Sequence, residues 1–72
     1  MTSRQKAVAF TYLVNGANET NLAADQFEIS AKSMNQDNPY TMNLFKSVKS
    51  MRVKADDLVA AAAALIDVPV EQ

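Results

Sequence analysis

The sequence predicts an all-α fold, a compact bundle of four or five short helices, and three observations carry that expectation. Leu, Met, Ala, Lys, Gln and the acidic residues outnumber the β-branched and aromatic types that fill strands, with aromatics at only 7%. One Gly and two Pro leave few tight turns of the kind that sheets need. Apolar residues recur at the three- and four-residue spacing of a helix face. Seventy-two residues suffice for one domain at most, expected over residues 1–66, with 67–72 as a frayed tail.

Ser3 is the expected cap of a first helix, in which Ala7, Phe10 and Val14 share one face. Asn15-Gly16 is a turn signal, since Asn-Gly readily adopts positive φ and Gly suits the residue after a helix end. Asn18 then caps a second helix carrying Leu22, Ala23 and Phe27, with Glu19 in its first turn. Glu28-Ile29-Ser30 interrupts that helix, and Ser30 caps a short one from Ala31 to about Gln36. At Asp37-Asn38-Pro39 the punctuation is strongest: Pro39 removes an amide donor and fits the first helical position, while Asn38 caps. Leu44, Val48 and Met51 mark the buried face of the helix that follows. A pause is expected around Arg52-Val53-Lys54 before Ala55-Asp56-Asp57 opens a last segment through Ile66, closed by Pro69. The expected core is Phe10, Leu13, Leu22, Phe27, Ile29, Leu44, Val48, Met51, Leu58 and Leu65.

Composition excludes much chemistry. Without Cys or His there is no disulfide framework, Cys/His zinc site, thiol nucleophile or imidazole base, and neither metal nor cofactor is expected. The carboxylate pairs Asp25/Glu28 and Asp56/Asp57 stand without a His, a Cys or a Gly-rich phosphate loop, so no enzyme is expected. The longest apolar stretch, Leu58 to Ile66, falls far short of the ~20 residues that span a bilayer. No secretory signal is visible in MTSRQKAVAF, and a cytoplasmic protein without membrane contact is expected. The alanine run Ala60 to Ala64 is strongly helix-forming and a candidate contact surface.

The order of these signals resembles the Cro/repressor-type helix-turn-helix family of small phage and bacterial regulators. Gly16 to Ser30, GANETNLAADQFEIS, is similar to that family's Gly, capping polar residue, Leu-Ala and hydrophobic-Ser turn. Asn38 to Val59, NPYTMNLFKSVKSMRVKADDLV, is similar to its segment that opens on Asn-Pro and reaches an acidic pair before Leu. Glu28 stands where the family's turn usually has Gly, and the implied recognition helix is short. The resemblance implies a helix-turn-helix within the bundle and a small non-enzymatic transcriptional regulator of phage or mobile-element type. Such a protein binds double-stranded DNA, here as an expected homodimer. Lys32, Ser33, Asn35 and Gln36 are then the base-reading candidates, because Asn and Gln suit adenine and Lys suits guanine. Ser30, Lys46, Lys49, Arg52 and Lys54 are the phosphate-contacting candidates; the last four place a local positive field within a chain of net charge −1.

A second architecture stays open if Asn15-Gly16 does not break the helix. Phe10, Leu13, Ala17, Thr20, Ala24, Phe27, Ala31 and Met34 then form one seam, answered by Leu44, Val48, Met51, Ala55, Leu58, Ala62 and Leu65. Folding at Asn35 to Asn38 sets Ala17 against Leu58, Ala24 against Met51, Phe27 against Val48 and Ala31 against Leu44. This hairpin leaves Tyr12, Leu22 and Ile29 off the seam and needs a partner to cover them, as an assembly subunit, adaptor or inhibitor.

Overall fold

The computed structural model describes residues 1–71. Two long helices, α1 (Ser3–Lys32) and α2 (Pro39–Leu65), fold back on one another as a single antiparallel hairpin. The bundle of four or five short helices, and the helix-turn-helix within it, are therefore corrected to two helices.

Each expected break fails for a local reason. Gly16 lies in α1 without positive φ, and an isolated Gly inside a helix costs only about 1 kcal/mol against a cooperative ladder of thirty residues. Asn18 is an exposed mid-helix residue, and Ser30 sits in the last turn, where its carbonyl accepts from the Ser33 N–H. Arg52, Val53 and Lys54 stay helical because nothing in them removes a donor or forces another conformation. The true ends carry true caps. Thr2, rather than Ser3, opens α1 through a capping box: its hydroxyl accepts from the Gln5 N–H at 3.1 Å and its own N–H donates to Gln5 Oε1 at 2.9 Å. Asn38 and Pro39 open α2 as expected, with Asn38 Oδ1 accepting from the Tyr40 N–H at 2.8 Å.

The seam has a seven-residue period on both helices. Ala17, Ala24 and Ala31 are buried on α1, and Thr41, Val48, Ala55 and Ala62 on α2. That period is the signature of a left-handed coiled coil, and small side chains along such a seam let the two axes approach closely. Leu13, Leu44, Met51, Leu58 and Leu65 flank it half-buried; Leu58 reaches across to Gly16. Of the expected core only Val48 is fully buried, while Leu22 and Ile29 point outward, because an uninterrupted helix carries them away from the seam.

Polar contacts close both ends. The buried Thr41 hydroxyl donates to the Asn35 carbonyl at 2.9 Å, and Gln36 Nε2 donates to the carbonyls of Ala31 and Met34, so the loop ties itself to both helices. At the other pole Lys6 Nζ donates to the carbonyls of Ile66 and Val68 at 2.8 and 3.0 Å. The Glu71 N–H donates to the Met1 carbonyl at 2.9 Å; residue 72 of the expected tail lies outside the described residues.

Candidate interaction surface

The four base-reading candidates lie at the end of α1 and in the loop, and each has an internal partner. Lys32 Nζ pairs with Glu28 at 3.0 Å, and the Ser33 hydroxyl donates to the Ser30 carbonyl at 2.8 Å. Asn35 Oδ1 accepts from the Asp37 N–H at 3.0 Å, and Gln36 is spent on loop carbonyls. Nothing holds these residues on a separate helix after a turn.

The basic cluster divides as well. Arg52 is clamped across the seam by Asp25 at 2.8 Å and Glu28 at 3.0 Å. Its guanidinium is pushed above its usual value by hydrogen bonds to Asp25 and then Glu28. Hydrogen bonds from Arg52 first and Lys32 second hold the Glu28 carboxyl below its usual range. Lys46, Lys49 and Lys54 are exposed and make no ion pair among the described residues. At about 100° per residue, positions 46, 49, 52 and 54 spread over roughly 200° of α2, so the four cations do not form one patch. Ser30 sits on α1, exposed, near the loop.

What the fold gathers instead is apolar. Val8, Leu22 and Ile29 share a seven-residue row on the outer face of α1, opposite the seam, at 63%, 59% and 70% exposure; Tyr12, 76% exposed, stands beside it. Val8 and Tyr12 border a shallow groove completed by Ala9, Leu13 and Leu65. On α2, Met42, Val53 and Val59 are each more than half exposed, and so are Tyr40 and, at the C-cap, Ile66. Of the Ala60 to Ala64 run, only Ala62 enters the seam. Val8, Met42, Val53 and Val59 were not singled out as exposed because the apolar residues were assigned to a single core; the seven-residue row shared with Leu22 and Ile29 is the signal that marks Val8, while Met42, Val53 and Val59 fall on three different rows of α2 and have none.

Among the described residues no cluster of three or more His, Cys, Asp or Glu is placed to hold a metal ion, and no helix is long and apolar enough to cross a membrane. The arrangement offers broad helix faces for packing, with charges set between the apolar rows. No known protein family, curated protein or solved structure matches the chain.

Proposed function

We propose that the protein is a non-catalytic assembly element, a helical hairpin that acts by packing its outer faces against other helices. One observation carries this reading: among the described residues the fully buried hydrophobic side chains are five alanines and one valine, while fourteen larger hydrophobic residues remain exposed. A seam of alanines removes little apolar surface from water, at about 0.8 kcal/mol per buried methyl-sized group, and the bulky residues that contribute most on burial are outside it. Their natural complement is a further helical layer, as in a four-helix bundle.

Site-specific photo-crosslinking in the producing cell tests the reading. A photoreactive residue at Tyr12, Leu22 or Ile66 should give discrete protein adducts, and one at the exposed polar Asn18 should not. Adducts to nucleic acid would overturn the reading in favour of a DNA-binding regulator, as would gel-shift binding that weakens steeply with salt and loses about one unit of salt slope on Lys49→Ala.

A further inference from the structure

The exposed side of α2 is complementary to itself when reversed. Met42, Lys49, Asp56 and Ala63 fall at seven-residue intervals and are all exposed, so they form one nearly axial row. Turned end for end, that row presents Ala63 to Met42 and Asp56 to Lys49, a small residue to a large one and an anion to a cation. The neighbouring row is Phe45, Arg52, Val59 and Ile66, with aromatic and aliphatic groups at its ends and the cation nearer the middle. About the axis that sets Met42 on Ala63 and Lys49 on Asp56, Phe45 comes level with Val59 and Ala60 of the copy, an aromatic group against aliphatic ones, and Arg52, neutralised by Asp25 and Glu28 of its own chain, lies nearest the axis. A parallel copy would instead set Lys49 on Lys49 and Asp56 on Asp56, with two like-charge contacts. The outer row of α1 has no such complement, since reversal places Asn15 on Leu22.

Resting on the assembly reading above, we propose that the occupant of this α2 face is a second copy of the same chain, packed antiparallel about a two-fold axis beside Arg52 and Val53. The surface area agrees. The chain exposes 5358 Å², about 900 Å² more than the ~4,400 Å² of a compact monomer of this mass, and a standard interface removes about 800 Å² from each partner. The pairing makes a four-helix bundle from two hairpins and leaves the row of Val8, Leu22 and Ile29 free on the outside.

Sedimentation equilibrium of charge-exchanged variants tests the geometry. The unaltered protein should be a dimer. Lys49→Glu and Asp56→Lys should each weaken it at least about tenfold, because the two-fold axis turns each change into two like-charge contacts. The double variant Lys49→Glu/Asp56→Lys should recover the dimer, and an equimolar mixture of the two single variants should form a heterodimer. Because the chain has no cysteine, a second measurement is clean even where a charge variant folds poorly. Met42→Cys mixed with Ala63→Cys should form a disulfide-linked pair, while Met42→Cys alone should not, its copies lying about 31 Å apart along the helix. A dimer indifferent to both charge changes, or cross-linking of Met42→Cys to itself, overturns the antiparallel α2 pairing and leaves the assembly reading intact. A monomer that still yields protein adducts at Leu22 does the same, whereas a monomer without adducts at any apolar position overturns both.

Discussion

Gly16 shows how a single residue is read differently alone and in its helix. Beside Asn15 it signals a turn, yet it lies in α1 with Leu58 leaning over it; a Cβ built there meets Leu58 Cδ1 at 3.5 Å, ordinary van der Waals contact. Gly16→Ala should therefore raise stability by up to about 1 kcal/mol, read as a higher urea midpoint; a lower midpoint would show that Leu58 has no room to accept the methyl. Thr41 is the buried polar group of the core, and its hydroxyl is satisfied by the Asn35 carbonyl. That carbonyl also accepts from the Asn38 N–H at 3.1 Å, so Thr41→Val should cost only about 1 kcal/mol in the same measurement. Glu28 gives the fold an acid dependence. Folding lowers its pKa, so its contribution is complete above the usual glutamate value of 4.5 and is lost as pH falls through the lower folded value. Arg52→Gln should flatten that part of the melting-temperature profile, and an unchanged acid limb would show that the clamp contributes nothing.

At the scale of the element, propagation overrides punctuation. Ser, Asn and Gly cap helices only where no better partner continues the backbone ladder, and the seven-residue seam supplies continuous packing through Asn18, Ser30 and Arg52 alike. Asn38-Pro39 survives as a boundary because Pro removes a donor that no packing restores. The helical class and the loop position were thus legible, and so was the seam. Ala17, Ala24, Ala31, Val48, Ala55 and Ala62 all belong to the alternative hairpin pattern, and Thr41 alone among the buried residues does not. The choice between the two architectures was not legible, because the cost of one internal Gly is smaller than the cooperative terms that sequence spacing leaves unweighed. Close approach of the helices makes the alanines demanding: Ala24→Leu or Ala55→Leu should destabilise by about 1–3 kcal/mol in urea melts. The exposed Ala60→Leu should stay within about 0.5 kcal/mol.

The whole molecule is a rod. Its Cα atoms span 58 × 14 × 11 Å with a radius of gyration of 16.6 Å, against about 11 Å for a compact chain of this length. Such a shape exposes much of its apolar surface, and assembly should stabilise it by mass action: the melting temperature should rise with protein concentration, and a concentration-independent value would argue for a self-sufficient hairpin. The candidate DNA-facing residues show the limit of spacing alone. Lys32, Asn35 and Gln36 lie at helical intervals, but α1 ends at Lys32, so the other two belong to a loop that uses their side chains internally. The Asp25 and Glu28 clamp on Arg52 joins residues far apart in the chain, and only the hairpin register brings them together.

The tie between Lys6 and the carbonyls of Ile66 and Val68 has a mechanical consequence. It brings both strands of the rod together at one pole, with the loop at the other, so opposed forces on residues 1 and 71 act across the seam rather than along it. Under such a load the hairpin peels like a zipper: the contacts between Met1 and Glu71 give way first, then the Lys6 tie, then the alanine contacts in succession from Ala62 and Ala55 towards Ala31 and Thr41. Force pulling α1 and α2 past each other along the rod axis instead loads every layer at once, so the same molecule is weak to peeling and strong to shear.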